Sequence, residues 1–405
     1  MLVSVLVLLV SACSAGSDRD TNNSTGDTIT DPGDPQGLVP VDTGPDLDWE
    51  RIDHPGFSLG YVVWSSTQFV TVNTRADGFT ELLTSRDGRA WTGTGRTFED
   101  IEVRDLAVSR DALAVWGTIR GSGDPDDTTT TIDRIHFSPD NGTTWHQRDI
   151  RHPDASSEDS SSSIVTAAIR NNTVLVSAFF RDDDSSYLLR LDLDDRSTPA
   201  EARDTDFSPV TLDPPETFIG DITVTASGIV MIGSDVDGSR IYTEGPNGWN
   251  QIDPDTRIAT LLSDGRLLYA NAWEDYQLLE SADLGATWRP LDQDFRAFSQ
   301  TFVGPSGVGG TNTISSTEPW ATIDAGGRPN VGVQQLERGR PETYISWSAD
   351  RRRWRHDTAT ATFGYPAFAY LAIGEGVVLA AATPLFGEPY EQGSVPTELY
   401  LATVD

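Results

Sequence analysis

The sequence predicts an all-β chain folded as one β-propeller of about seven four-stranded blades, closed by its first and last strands in a shared blade. Three observations carry this. Short runs of Val, Ile and aromatic residues, broken by Gly, Asp, Asn and Pro, run through the body with almost no helical period. A Ser-x-Asp turn followed by Trp recurs along the chain. The two ends carry complementary halves of that same repeat.

The apolar runs at 61–64, 69–72, 113–116, 174–179, 229–232 and 377–381 are dominated by residues that suit a pleated, packed surface, which is strand chemistry. The repeat is fullest in Ser138-Pro139-Asp140-Asn141-Gly142-Thr143-Thr144-Trp145 and Ser281-Ala282-Asp283-Leu284-Gly285-Ala286-Thr287-Trp288. Ser85-Arg86-Asp87-Gly88-Arg89-Ala90-Trp91 and Ser348-Ala349-Asp350-Arg351-Arg352-Arg353-Trp354 are shortened forms, the second without glycine. Gly245-Pro246-Asn247-Gly248-Trp249 keeps only the turn and the Trp. In such a turn Ser and Asp side chains bond backbone groups, glycine takes the positive-φ position, and Trp buries itself between sheets. Each copy then joins the last two strands of a blade.

Spacing supplies the blade number. The intervals are 54 residues from Trp91 to Trp145, 39 from Trp249 to Trp288, and 66 from Trp288 to Trp354. The 104 residues from Trp145 to Trp249 hold two intervals, with an eroded repeat expected near 189–198. The longest interval implies an insertion around 309–330. At the ends, 47–52 reads as the strand that follows such a turn, and 398–405 as the strand that precedes one. Paired, they leave no free edge. The count is then seven, with six and eight left open.

The repeat resembles the Asp-box, or BNR repeat, of sialidase-like propellers. The resemblance covers the fold of the body and implies that the box lies away from the ligand-binding face. For an active sialidase it further implies three arginines on the substrate carboxylate, a Tyr–Glu nucleophile pair, an Asp acid/base and an Arg-Ile-Pro motif. The chain departs from that set. Arg51-Ile52-Asp53 lacks the proline, and no spacing singles out three of Arg104, Arg170, Arg257 and Arg296. Glu388-Pro389-Tyr390-Glu391 sets Tyr beside Glu in a stretch that reads better as a surface turn. No catalytic residue is therefore assigned.

Other chemistry is thinner still. His54, His136, His146, His152 and His356 form no metal-binding pair, and His146 reads as an exposed strand residue. Asp235-Val236-Asp237-Gly238 misses the glycine and glutamate positions of a calcium loop. Asp182–Asp184 reads as a solvated hairpin tip, and 121–130 and 154–163 as surface loops. Arg351–Arg353 forms a basic tip, either plainly solvated or a docking point for an anionic partner. No phosphate loop or nucleophile elbow is present. No metal and no cofactor are expected.

Composition narrows the partners. All 29 basic residues are arginine, against 62 acidic residues, for a net charge of −33. Phosphate contacts need a basic face, so nucleic acid is excluded as a partner. Such acidity suits a salty habitat, and equally an exported protein. The single cysteine, Cys13, follows the apolar run 2–10 and Val10-Ser11-Ala12, which resembles a bacterial lipobox. This implies a signal peptide over 1–12, a lipid anchor at Cys13 and an extracytoplasmic position. An ordinary cleaved signal is the other reading, and Met1 without a basic neighbour leaves an upstream start open. Residues 13–46, rich in Asp, Ser, Thr, Gly and Pro, read as a disordered stalk. Residues 47–405 form the propeller, expected to be monomeric.

Function is then expected to be that of a non-catalytic, cell-surface binding or assembly module for a glycan, peptide or protein. The alternatives are a glycoside hydrolase of sialidase-like fold, with Arg and carboxylate side chains clustered at the channel, and an envelope lipoprotein of a transport system.

Overall fold

The computed structural model describes residues 47–404 except the segments 54–61, 121–130, 154–160, 182–184, 193–206, 213–217, 273–276, 292–299, 316–340 and 385–397 and a few gaps of one or two residues. Within the described residues the regular structure is seven four-stranded antiparallel sheets and one five-residue helix.

The chain opens with β1 (Trp49–Ile52), the fourth strand of blade 7. Blade 1 is β2 (Val62–Ser65), β3 (Gln68–Thr74), β4 (Thr80–Ser85) and β5 (Thr92–Phe98). Blade 2 is β6 (Ile101–Val108), β7 (Leu113–Ile119), β8 (Asp133–Ser138) and β9 (His146–Asp149). Blade 3 is β10 (Ser162–Arg170), β11 (Thr173–Phe180), β12 (Ser185–Asp192) and β13 (Ser208–Pro209). Blade 4 is β14 (Phe218–Val224), β15 (Ile229–Asp235), β16 (Gly238–Gly245) and β17 (Gly248–Ile252). Blade 5 is β18 (Ile258–Ser263), β19 (Leu268–Ala272), β20 (Leu278–Ser281) and β21 (Arg289–Pro290). Blade 6 is β22 (Gln300–Gly304), β23 (Gly307–Ser315), β24 (Pro341–Ser348) and β25 (Arg355–Thr358), followed by α1 (Ala359–Phe363). Blade 7 is β26 (Ala367–Gly374), β27 (Val377–Pro384), β28 (Glu398–Thr403) and β1.

The termini share blade 7 as expected: Trp49, Glu50, Arg51 and Ile52 pair with Ala402, Leu401, Tyr400 and Leu399. The first strand of each blade packs against the first strand of the next, and β26 meets β2, so these seven strands ring a central channel. The interval assigned to an insertion falls between β23 and β24, later than expected, because 307–315 is strand. The site of the eroded repeat joins β12 to a two-residue β13 and lies largely outside the described residues.

One apolar cluster fills each interface between neighbouring blades. Strand alternation explains the near-continuous apolar runs, since both faces of a blade are covered. In β11, Val174, Val176, Ala178 and Phe180 face blade 2 while Leu175 faces blade 4. Each of the Val, Leu and Phe side chains contributes roughly 1.5–3 kcal/mol on burial. The smallest cluster, between blades 5 and 6, is supplemented by polar ties. There Tyr269 Oη and Arg351 Nη2 each donate to Asp264 Oδ2 at 3.0 Å, and Asn271 and Thr301 bond each other.

Inner strands β6, β10, β14 and β18 each carry a bulge in their first half. A bulge breaks the ladder and strands backbone groups. In blades 3, 4 and 5 the preceding blade satisfies them: Ile164 N donates to Asp133 Oδ2 (2.8 Å), and Ser177 and Ser239 donate to Ile219 O and Ile258 O. The expected surface loop 154–163 therefore ends differently, with Ser161 and Ser162 buried. Ser162 Oγ bridges Ile150 O and Asp133 N across blades 2 and 3.

Candidate functional site

In an antiparallel blade the turns after the first and third strands share one face, and the connections after the second and fourth share the other. The Ser-x-Asp turns follow third strands β4, β8, β20 and β24, so they occupy a single face. The bulges of β6, β10, β14 and β18 lie toward the opposite face, at the start of each inner strand.

At that mouth of the channel two carboxyls come from non-adjacent blades. Asp105 follows the bulge of β6, and Asp221 lies within the bulge of β14. Asp105 Oδ1 accepts Leu106 N (2.7 Å), and Asp221 Oδ2 accepts Leu261 N from blade 5 (2.9 Å). Both are half-buried. Burial pushes Asp105 up to about 7 against the pull of the Leu106 N–H, and the nearby Asp221 carboxylate adds to the rise. Burial likewise raises Asp221. Asp105 can thus hold a proton near neutral pH.

Arg104, beside Asp105, is committed. Its Nη1 reaches Asp133 Oδ2 (3.3 Å) and Ser163 Oγ (3.1 Å), tying blade 2 to blade 3. The Asp133 side chain has no solvent exposure, and burial raises it despite Arg104, Ile164 N and Thr118. Arg170 is the last residue of β10, toward the opposite face, and donates to Ala226 O of blade 4. Arg104 and Arg170 therefore do not converge. Arg257 is exposed just ahead of β18, and Arg296 lies outside the described residues.

A second charged set lies between blades 1 and 2. Arg134 joins Asp100 (2.7 Å) and Asp149 (2.5 Å), and Asp100 Oδ2 accepts His136 Nε2 at 3.1 Å. Arg96 Nη2 donates to His136 Nδ1 (3.0 Å), so Nε2 carries the imidazole proton. Burial lowers His136 to about 4 although Asp100 pulls the other way. The result is a neutral imidazole held in a closed inter-blade tie.

The turns themselves are well built. Ser138 Oγ donates to Asp140 Oδ1 (2.8 Å) and accepts Gly142 N (2.7 Å), while Asp140 takes Thr144 N and Oγ1 (both 2.7 Å). Ser281, Asp283, Gly285 and Thr287 repeat this pattern. In the short forms Asp87 accepts Arg89 N, Ala90 N and Ser85 Oγ, and Asp350 accepts Arg352 N, Arg353 N and Ser348 Oγ. Arg351 takes the positive-φ place that Gly88 fills in blade 1, at 63° against 73°. These bonds hold Asp87, Asp140, Asp283 and Asp350 below the usual carboxylate range. Trp91 and Trp145 donate Nε1–H to Gly88 O and Gly142 O at 3.0 Å, and Trp354 is buried between blades 5 and 6. Trp288 differs: its Nε1–H has no partner among the described residues.

Of the remaining candidates, Arg351 is no free tip, being bound to Asp264, and Arg353 pairs with Asp350. Arg51 lies in the closing strand and pairs with Glu398 (2.6 Å). His146 is half-buried and stacks on Phe137 rather than standing exposed. Cys13, His54, Asp182–Asp184, Asp237, Glu388, Tyr390 and Glu391 lie outside the described residues. No group of three or more His, Cys, Asp or Glu among the described residues is placed to hold a metal. No described helix is long and apolar enough to cross a membrane. Sequence reasoning missed Asp105 and Asp221. The signal was available in Arg104-Asp105 and Gly220-Asp221, a charged pair and a glycine–aspartate pair that interrupt strand runs as bulges do.

No protein-family profile and no curated protein matches the chain. Among solved structures it is similar to Pyrococcus horikoshii acylaminoacyl peptidase (11% identity, 84% of this chain, 54% of that one, TM-score 0.47). It is also similar to an ancestral GH74 enzyme (11%, 86% and 48%, TM-score 0.43) and to Trypanosoma rangeli sialidase (12%, 87% and 59%, TM-score 0.39). The chain spans about half of the first two structures' length. At these identities the likeness concerns fold alone.

Proposed function

We propose that this chain is a non-catalytic binding module, displayed outside the cytoplasmic membrane by a lipid on Cys13. One observation carries the reading: five of the described arginines serve as ties within and between blades. Arg104, Arg134, Arg170, Arg190 and Arg351 each engage an oxygen of a neighbouring strand or blade. An anion clamp at the channel would have to break such ties. The expected ligand is a glycan, peptide or protein taken up on the face opposite the Ser-x-Asp turns, or at the clefts between blades. Two experiments test this. Cys13→Ala is expected to release the protein from membranes, and unchanged membrane retention contradicts the anchor. Probing the purified chain against glycan and peptide arrays is expected to give saturable binding without turnover, and blank arrays contradict the module.

A second reading is favoured by Asp105 and Asp221. A carboxyl that keeps its proton near neutral pH, with a second carboxyl close enough to raise it, is what a glycoside hydrolase uses as general acid. It requires turnover that disappears in Asp105→Asn or Asp221→Asn.

A further inference from the structure

We infer that the face carrying the Ser-x-Asp turns docks on a lipid surface, through arginines that contact anionic phosphate headgroups. This rests on the Cys13 anchor reading and adds a second contact, made by the folded body. β1 is the fourth strand of blade 7 and starts beside the end of β28, where Trp49 pairs with Ala402. Its start therefore lies on the face of the Ser-x-Asp turns, and the chain from Cys13 enters the body there. Strands β28 and β1 come from opposite ends of the chain, so no turn joins them. The Ser-x-Asp turns on either side belong to blades 6 and 1, and the residues of this entry strand touch both. Leu47 packs with Ala349 of the blade 6 turn against the cluster between blades 6 and 7, and Glu50 pairs with Arg89 of the blade 1 turn.

The arginines segregate by turn. Arg86 and Arg89 lie in the blade 1 turn, and Arg351, Arg352 and Arg353 in the blade 6 turn. The turns of blades 2, 4 and 5, at 139–144, 246–247 and 282–287, hold none. The blade 3 connection, 193–206, lies outside the described residues and carries by sequence two arginines against five carboxylates. Arg86 and Arg352 are exposed, and neither guanidinium has a partner among the described residues. Arg89 and Arg353 are tied to Glu50 and Asp350, but their side chains are 44% and 67% exposed, and such surface pairs are weak enough for phosphate to displace. Among the described residues the rim also holds Arg266 and the carboxylates Asp48, Glu50, Asp87, Asp264, Asp350 and Glu375, so it is charge-balanced on a chain of net charge −33. Residues 14–46 carry seven aspartates and one arginine, so the contact falls to the body.

A guanidinium fork pairs two phosphate oxygens at once, which suits it to headgroups. At about 0.15 M salt charges act over roughly 8 Å. An eight-residue inner strand such as β6 is about 26 Å long. A membrane under the rim is therefore screened from acid on the opposite face. A coil of 33 residues spans roughly 30 Å, so an anchor at Cys13 holds a weak contact at high effective concentration.

The test is co-sedimentation of residues 13–405 carrying Cys13→Ala, which keeps every described residue and removes the anchor. The vesicles are phosphatidylcholine alone, or phosphatidylcholine and phosphatidylglycerol in equal parts. Binding is expected on the anionic vesicles only, and should weaken with salt. Arg86→Gln with Arg352→Gln should lower the partition coefficient roughly twenty-fivefold, at about fivefold per arginine near a lipid surface. Arg75→Gln with Arg257→Gln, the same charge change at exposed sites of the opposite face, should bind as the parent does. Soluble glycerol phosphate at the same phosphate concentration should not displace the protein. Equal partition of the two double variants, equal binding to neutral vesicles, displacement by glycerol phosphate, or no binding to either vesicle overturns the docking face. The anchor is judged apart from it, on cell membranes washed at about 1 M salt, where screening to about 3 Å removes the arginine contact and leaves a lipid in place.

Discussion

Gly304→Ala tests how tightly the inner ring is closed. Gly304 ends β22 where that strand meets β26, and a Cβ there would lie 1.9 Å from Ile373 O and 2.7 Å from its carbonyl carbon. The obstacle is backbone, so no side chain can swing aside. Inner strands of blades 6 and 7 would have to part by more than about 1 Å to restore ordinary contact. Overpacking of this kind costs about 3 kcal/mol, the upper part of the usual range. Gly265→Ala is the matched control. Its φ is +86° and no atom lies within 4 Å of the added carbon, so it carries only the backbone cost of about 1 kcal/mol. Equilibrium urea unfolding followed by tryptophan fluorescence reads both. Gly304→Ala should lower the midpoint about three times as far as Gly265→Ala, at an unchanged slope. A Gly304→Ala midpoint at or above that of Gly265→Ala refutes the close approach of blades 6 and 7.

Three further expectations follow from the geometry. The Ser-x-Asp carboxylates have folded-state pKa values below their unfolded ones, so their stabilisation is complete above the unfolded value and is lost as pH falls through the folded value. Asp140→Asn should therefore be less stable than the parent at pH 7 and lose less than the parent on acidification, and parallel acid curves would contradict this. Asp105 has the opposite sign. Its folded pKa of about 7 exceeds the unfolded one, so charging it costs stability as pH rises from about 4 through 7. Asp105→Asn should then be more stable than the parent at pH 8, with the advantage shrinking toward pH 4, and a variant less stable at pH 8 would count against a proton-holding Asp105. Deleting residues 399–405 removes the strand between β27 and β1 and should abolish cooperative unfolding. A melting curve like the parent's would contradict closure through blade 7.

The blades were legible because their signals are local. Each Ser-x-Asp turn writes its geometry into a few adjacent residues, and the half-blades at 47–52 and 398–405 are visible as strands lacking partners. The site was harder to see, because it depends on which strands become neighbours. Asp105 and Asp221 are 116 positions apart, and only the ring of inner strands brings the charge of one to bear on the other. His136 reads as one more polar strand residue until Arg96, Asp100 and Arg134 are placed around it. Arg351–Arg353 reads as a solvated tip, because Asp264, its partner on blade 5, is 87 positions away. Ser161 and Ser162 read as loop, since a polar tract carries no sign that its hydroxyls will bond Thr131 N, Asp133 N and Ile150 O of the preceding blade.

The most direct test of the central claim is incubation of residues 46–405, at low and high salt, with fluorogenic glycosides that include a sialoside. The account predicts no turnover from a chain in which Arg104, Arg134, Arg170, Arg190 and Arg351 are committed to ties between strands and blades. Turnover that vanishes in Asp105→Asn or Asp221→Asn would contradict it and make this propeller a glycoside hydrolase.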